Sequence, residues 1–235
     1  QMDIPADVFC SYESGYQTKV YVGDYANNTV KEYTLVHSHS GMILVAVNNL
    51  PIGYGLAWLI EDLDNDGNMD LVVQRGDAGF GGNGYLDIHS APNWDLRGRI
   101  TLTGKKMYFH PKAVNLDNDS HKEIFLTPCY TFTSNSYAMV VQKKTGLMAY
   151  NDCYEVTDEF QAPTGTRGEV AAADFDSDGY VEIIAGNESN YGLFEYRYAA
   201  PTDISEFRPG LRYVGSISGT LNGTWATIVR PYMFL

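Results

Sequence analysis

Three nine-residue segments of the chain place side-chain oxygens at their first, third, fifth and ninth positions. They span residues 62–70, 115–123 and 174–182, and each leads into an apolar stretch. Oxygens at alternate positions of a tight loop converge on one point, which is how proteins bind a hard cation such as Ca²⁺. Glycine at the sixth position, Gly67 or Gly179, permits the positive φ of a sharp bend. We name these segments acidic loops 1, 2 and 3 and predict that each binds calcium.

The spacing of the acidic loops indicates a repeat. The first residues of successive loops, 62, 115 and 174, are 53 and 59 residues apart. A motif that recurs at such a length indicates a repeated supersecondary unit. Each unit contains four short runs of β-branched and aromatic residues separated by turn residues, which predicts four antiparallel strands. The predicted fold class is all-β, a β-propeller of about four four-stranded blades with almost no helix.

The repeat also predicts where the strands and blades lie. The blades are expected at about 1–50, 51–104, 105–160 and 161–219 of a single domain. Strands are predicted at 19–23, 29–36, 42–47, 56–63, 69–74, 85–89, 98–102, 112–116, 123–127, 138–142, 147–150, 168–175, 181–186, 192–198 and 212–218.

The first unit is predicted to be a degenerate copy. Aligning Gly15 with Gly67 puts Cys10, Tyr12, Ser14 and Thr18 at the positions of the loop 1 carboxylates. Because this copy has lost those carboxylates, we predict a blade without calcium.

Residues 220–235 follow the fourth unit and contain one strand-like segment, 225–229. An unpaired apolar strand is an aggregation hazard. The segment is therefore expected either to close the ring by pairing with the N-terminal sheet or to complete a blade of a neighbouring molecule by strand addition.

The unit of strand, DxDxDGxx[DE] loop and strand resembles the FG-GAP or VCBS repeat family, the propeller module of integrin α-subunits and many secreted microbial proteins. The resemblance covers about residues 50–220 and, more faintly, 1–50. It implies about three calcium ions and backbone carbonyl ligands from Asn68, His121 and Tyr180. The implied side-chain ligands are Asp62, Asp64, Asp66 and Asp70; Asn115, Asp117, Asp119 and Glu123; and Asp174, Asp176, Asp178 and Glu182.

Acidic loop 2 departs from the pattern and is predicted to be the weakest site. Asn115 supplies a neutral oxygen, and Lys122 adds a nearby positive charge. Ser120 replaces the glycine, at about 1 kcal/mol if the left-handed conformation is kept.

Composition restricts the possible partners. The net charge is −13, and three divalent cations would offset nearly half of it. No basic cluster is present to neutralise phosphates, so neither nucleic acid nor an anionic membrane is expected as a partner. The pairs Lys105-Lys106 and Lys143-Lys144 are interpreted as solvated turns.

Residues 41–60 are uncharged but contain asparagine, proline and glycine, which favours strand, turn and strand over a membrane span. Calcium dependence indicates a secreted, extracellular or cell-surface protein, where disulfides also persist.

Three cysteines are too few for a disulfide scaffold. A bridge between Cys129 and Cys153 is plausible, and Cys10 would be left over. Sequons allow N-glycosylation at Asn27, Asn187 and Asn222. A fourth sequon, at Asn118, lies inside acidic loop 2 and is the least suitable.

No catalytic motif is evident, and the paired carboxylates are already assigned to a cation, so we predict no enzymatic activity. His37 and His39 form either a polar turn, which we favour, or a transition-metal chelate. Aromatic residues in or beside predicted loops are candidates for stacking on a sugar or a protein partner: Tyr85, Trp94, Tyr130, Tyr137 and Tyr191.

Three functions are compatible with the sequence. The first is a non-enzymatic, calcium-binding adhesion or binding module for glycan or protein ligands. The second is a structural subunit of an extracellular filament or surface layer that assembles with copies of itself through its terminal strand or blade edges. The third and least favoured is a propeller-fold polysaccharide lyase or hydrolase.

Overall fold

The chain forms four antiparallel β-sheets in the part that our computed structural model describes. That part comprises residues 5–13, 17–24, 29–38, 41–50, 52, 56–76, 84–105, 111–117, 119–127, 137–145, 152–161, 169–186, 190–197 and 210–218. No helix occurs within these residues. Consequently none of them belongs to a helix able to cross a membrane.

Each sheet contains four consecutive strands, and neighbouring strands are paired antiparallel in chain order. Sheet I contains β1 Pro5–Glu13, β2 Gln17–Asp24, β3 Thr29–Ser38 and β4 Gly41–Asn49. Sheet II contains β5 Leu56–Glu61, β6 Asp70–Gly76, β7 Gly84–Ser90 and β8 Asp95–Leu102. Sheet III contains β9 Lys112–Val114, β10 Glu123–Leu126, β11 Tyr137–Lys143 and β12 Tyr154–Gln161. Sheet IV contains β13 Glu169–Ala173, β14 Val181–Gly186, β15 Asn190–Arg197 and β16 Gly210–Ser218.

The strand predictions are confirmed within a few residues in sheets II and IV. The predicted fourth strand at 147–150 lies outside the described residues, and β12, Tyr154–Gln161, occupies that place in the sheet. Tyr154 and Val156 are shielded while Glu155 and Thr157 are exposed. This period of two is typical of a half-buried strand. The three acidic residues of β12 make the segment resemble a loop in the sequence.

Sheet I has the four strands expected of a degenerate unit but lacks an acidic-type loop. Cys10 and Tyr12, aligned with loop residues, lie inside β1 and pair with Val20 and Thr18 of β2. β1 continues as a strand to Glu13, and β2 begins at Gln17. Similarly, His37 lies within β3 opposite Met42, so the predicted turn at His37 is wrong; His39 lies outside the described residues.

Three buried clusters lie between successive sheets. The first joins sheets I and II, with Tyr21 and Val30 on one side and Leu71 and Val73 on the other. The second joins sheets II and III, and the third joins sheets III and IV. No buried cluster among the described residues joins sheet I to sheet IV.

Strand alternation explains how one sheet serves two clusters. In β6, Leu71 and Val73 face sheet I while Val72 packs with the cluster toward sheet III. Successive side chains of a strand point to opposite faces. The central residues of β6 (Leu71, Val72 and Val73) and of β10 (Ile124 and Phe125) are therefore apolar on both faces.

The first strands of the sheets follow one another in space. β1 contacts β5, β5 contacts β9, and β9 contacts β13. At the other side of the sheets, β8 contacts β12 and β12 contacts β16. The Cys153 N–H also donates a 2.8 Å hydrogen bond to the Arg97 carbonyl, which ties sheet III to sheet II.

The close approach of sheets II and III generates a stability prediction. A Cβ added at Gly98 would lie 2.8 Å from Cδ2 and 3.1 Å from Cβ of buried Tyr154. We expect Gly98→Ala to lower the free energy of unfolding by about 1–3 kcal/mol, because a packed interface must move to admit the methyl group. Chemical denaturation measures this. Thr101→Ala, at an exposed position of the same strand, should change it by no more than about 0.5 kcal/mol. Equal effects of the two changes would contradict this packing.

Candidate metal centres

Each acidic loop joins the first and second strands of its sheet, at β5–β6, β9–β10 and β13–β14. The carboxylate at position 9 accepts a hydrogen bond from the backbone N–H at position 2 in all three loops. The distances are 2.9 Å for Asp70 and Leu63, 2.6 Å for Glu123 and Leu116, and 2.6 Å for Glu182 and Phe175. The position 9 side chain therefore folds back under the loop and fixes its base.

These three carboxylates are buried: Asp70, Glu123 and Glu182 are 1%, 2% and 8% exposed. Burying a carboxylate is costly unless it is paired or bound to a metal. The backbone N–H meets part of that requirement at each loop, and at Asp70 the Ser90 hydroxyl also donates to the carboxylate.

The remaining loop carboxylates are held by inward-pointing backbone N–H groups. The N–H of Gly67 donates to Asp62 at 3.0 Å, and the N–H of Gly179 donates to Asp174 at 3.1 Å. The position 5 carboxylates accept from the N–H at position 7, at 2.8 Å in loop 1, 2.5 Å in loop 2 and 2.9 Å in loop 3. The same hydrogen-bond scheme at separate places in the chain supports the repeat.

Backbone dihedrals separate loops 1 and 3 from loop 2. In loops 1 and 3 the fourth residue has φ near 60° (Asn65 56°, Ser177 65°), and the sixth has φ near 90° (Gly67 89°, Gly179 91°). Among the described residues Ser120 is not one with positive φ. A left-handed conformation is costly for a residue with a side chain. Loop 2 turns differently at this position, so the energetic cost predicted for a left-handed Ser120 does not arise.

The loops bring acidic oxygens together in three groups, in each of which one atom per residue lies within 4.8 Å of the others. The groups are Asp62, Asp64 and Asp70; Asp117, Asp119 and Glu123; and Asp174, Asp176, Asp178 and Glu182. Like charges this close repel unless a proton or cation compensates. Carboxylate oxygens converging at this spacing fit a hard divalent cation.

One predicted carboxylate ligand does not join these oxygen groups, and the predicted ligand Asn115 makes a hydrogen bond within loop 2. Asp66 lies outside the loop 1 group, where its carboxylate accepts the Asn68 N–H. The Asn115 side-chain amide donates to the Asp119 carbonyl at 2.5 Å, which closes loop 2 on itself. The carbonyl ligands predicted at Asn68, His121 and Tyr180 remain predictions.

Acidic loop 3 contains a polar atom without a protein partner. Among the described residues, Glu182 Oε1 is buried and has no hydrogen-bond partner, while Oε2 accepts the Phe175 N–H. An orphaned buried carboxylate oxygen beside three aspartates is what a cation would satisfy. The residues of loop 3 therefore fit a divalent cation best.

Burial and charge repulsion raise the pKa values of the position 9 carboxyls. Burial, together with the charges of Asp64 and Asp66, raises the pKa of Asp70 to about 6. Burial, with Asp117 and Asp119, raises the pKa of Glu123 to about 7. The pKa of Glu182 is raised for the same reasons. A cation would reverse these shifts, because it favours the ionised form.

Lys143 of β11 and Lys122 of acidic loop 2 contact acidic loop 1 or the end of the strand before it. Lys143 of β11 contacts the Asp64 carboxylate at 2.8 Å. The Lys122 N–H donates to the Leu63 carbonyl at 2.7 Å, and its ammonium group contacts Glu61 at 2.5 Å. Burial opposes ionisation of Asp64, but Lys143 together with the Asp66 N–H and Arg97 more than offsets this, so the pKa of Asp64 is lowered. The interpretation of Lys143 as part of a solvated turn is therefore wrong, and Lys122 pairs with sheet II.

The aromatic residues predicted to bind a ligand differ in how far their side chains are exposed. Trp94 is 7% exposed and packs edge-on against Tyr21, with ring centroids 5.8 Å apart. The prediction of Trp94 as a surface ligand residue is wrong, because its side chain belongs to the buried cluster between sheets I and II. Tyr85 and Tyr137 are half-buried, and Arg99 and Lys105 lie over their rings at 5.1 and 4.1 Å.

Several predictions concern residues outside the described part of the chain. They are Tyr130, Cys129, Asn118 and the sequon residues Asn27, Asn187 and Asn222. Tyr191 lies in β15, opposite Gly186 and Ile217. Cys153 is buried in the cluster between sheets II and III, and its disulfide with Cys129 stays a prediction.

Comparison of the chain with protein-family models, curated proteins and solved structures finds no significant match. The resemblance to FG-GAP and VCBS repeats therefore rests on the loop motif and its spacing.

The raised pKa values predict how pH affects stability without divalent cations. The unfolded chain ionises Asp70 and Glu123 near their ordinary pKa values of 3.8 and 4.5, whereas the folded chain does so near 6 and 7. The favourable contribution of these protonated groups is present below pH 4 and is lost as pH rises through 7. With chelator present, we expect Asp70→Asn and Glu123→Gln to flatten the fall in melting temperature between pH 4 and 7. A slope identical to that of the unsubstituted chain would contradict the assignment.

Lys143 predicts a cation response specific to acidic loop 1. Its ammonium group and a bound cation would share the Asp64 carboxylate, so they compete. We expect Lys143→Met to tighten calcium binding at loop 1 about two- to five-fold, the range set by a partly exposed ion pair. Calorimetric titration measures this. Lys144→Met is the matched control, because Lys144 contacts Asp152 instead. Equal affinities in the two variants would contradict the competition.

Proposed function

We propose that the chain is a calcium-binding, non-enzymatic module of an extracellular protein, in which the acidic loops are cation sites that stabilise a repeated β-architecture. The convergence of three or four carboxylates in each loop, with Glu182 Oε1 buried and unsatisfied in loop 3, is the observation that carries this proposal. Calcium is the preferred ion because six or more oxygens, including backbone carbonyls, are its usual ligands.

A cation in each loop would act on the strands at both ends of that loop. Positions 1 and 3 of the loop follow the first strand, and position 9 lies where the second strand begins. Ions bound there would offset the repulsion among the clustered carboxylates, which otherwise opposes this turn. The proposed role is structural, and the acidic groups would be used for coordination rather than for acid–base catalysis.

We further propose that the four sheets are blades of a β-propeller. Two observations support this arrangement. The first strand of each sheet contacts the first strand of the next, from β1 to β5, from β5 to β9 and from β9 to β13, and buried clusters lie between successive sheets. An innermost strand in each blade and face-to-face packing of neighbouring blades are its general features. Closure of the ring, by residues 225–229 or otherwise, is part of the proposal.

The ligand of this module is proposed to be a glycan or another protein at the loops that the sheets hold in place. Tyr85 and Tyr137 remain candidates, since each presents a partly exposed ring beside a cationic side chain. A structural subunit that assembles through blade edges is the second candidate, which the exposed apolar strand β4 favours.

Calcium titration tests the proposed function. Saturating calcium should raise the free energy of unfolding by about 3 kcal/mol per site at a hundredfold excess over Kd, and chelator should reverse the effect. Asp176→Ala should reduce this gain more than Asp117→Ala, because loop 3 has the larger group of carboxylates. Differential scanning calorimetry with and without chelator measures the gain.

Two comparisons make this test specific. Asp95→Ala removes an exposed carboxylate outside the acidic loops and should leave the calcium response unchanged. Magnesium at equal concentration should stabilise less, because its smaller octahedral shell fits a flexible polydentate loop poorly. Identical melting of the unsubstituted chain with calcium and with chelator would refute structural calcium.

A further inference from the structure

Among the described residues, the apolar strand β4 is the last strand of sheet I. It pairs with β3 and with no other described strand. Four consecutive side chains are exposed: Met42 by 65%, Ile43 by 53%, Leu44 by 53% and Val45 by 46%. An exposed apolar edge strand is an unstable surface in water, because its backbone groups and side chains can pair with another chain.

The exposure extends over both faces of the strand. Since successive side chains alternate in direction, Met42 and Leu44 lie on one face and Ile43 and Val45 on the other. Val36, opposite Ile43 on β3, is 39% exposed and extends one of these faces. A partner that covers β4 must therefore offer a strand that is apolar on both faces.

β4 is also the one strand of the described sixteen that contains no charged residue. The other sheet-edge strands each carry at least one, such as Glu61 in β5, Lys112 in β9 and Arg212 in β16. A charged side chain of a partner strand would lose its hydration at β4 and find no opposite charge there. A second copy of β4 meets both requirements, because it is uncharged and apolar on both faces.

Charge favours the same pairing. Two copies that each carry a net charge of −13 repel each other over most surfaces. Contact through β4 brings together a strand of each copy that contains no charged residue.

We propose that β4 is a self-association surface, through which two copies of this chain pair antiparallel about a two-fold axis near Ile43 and Leu44. The ladder joins sheet I of one copy to sheet I of the other, as an eight-stranded sheet. A two-fold contact uses the same patch on both copies and closes on itself, so this contact by itself gives a dimer, and larger assemblies would need another blade edge. This inference goes beyond cation binding and does not depend on it.

Sedimentation velocity over a concentration series, in calcium and separately in chelator, tests the proposal. We expect the unsubstituted chain to dimerise in calcium, and Ile43→Lys to weaken the dimer at least about tenfold by placing two charges at the axis. Val214→Lys is the matched control, because Val214 is 50% exposed on β16, the last strand of sheet IV. It should leave dimerisation unchanged. A melting curve for each variant verifies that it folds.

The other outcomes overturn the proposal. If the unsubstituted chain is monomeric at all concentrations, the proposal is refuted. If Ile43→Lys also lowers the melting temperature of that monomer, other residues of the same chain cover β4. Equal weakening by both lysine substitutions would mean that the association does not pass through β4. Growth beyond two copies would mean an open, head-to-tail contact. Loss of calcium binding with an intact dimer would refute the proposed function alone.

Discussion

The buried carboxylate at the ninth position of each acidic loop is the constraint on which the local structure depends. A carboxylate beneath a turn is tolerated only where something replaces its water. In all three loops the backbone N–H at position 2 does so, and this bond brings the end of the first strand over the beginning of the second. The remaining carboxylates then point to a common centre. The hairpin geometry and the candidate cation site are thus consequences of one interaction.

A second constraint acts between the sheets. Sheets II and III each pack against a neighbour on both faces, so the central residues of β6 and β10 are apolar at consecutive positions. The same arrangement brings side chains of one sheet into the loop of another, as with Lys143 and Asp64. A candidate cation site therefore depends on the neighbouring sheet, and stability and cation binding are coupled through that boundary.

The sequence alone predicted much of the architecture. The all-β class, the four-strand unit and the oxygen positions of the acidic loops all follow from short-range patterns, because a period of two and a nine-residue turn are visible in neighbouring residues. Predictions failed where distant residues decide. Trp94 is predicted to be exposed because it lies near turn residues in the sequence. Its side chain is instead buried between sheets I and II, where it packs against Tyr21. Cys10 and Tyr12 align with loop residues, yet they pair in β1 because no carboxylate turns the chain there.

What the sequence by itself determined is the chemistry of the loops, since carboxylates at fixed spacing converge wherever a tight turn forms. Only the tertiary structure decided which of those oxygens are buried, which one lacks a partner and which lysine contacts them. These properties depend on packing between sheets that are far apart in the chain. The same reason applies to β4: its composition is apolar in any setting, but its place at the free edge of sheet I, rather than between two sheets, makes it a surface.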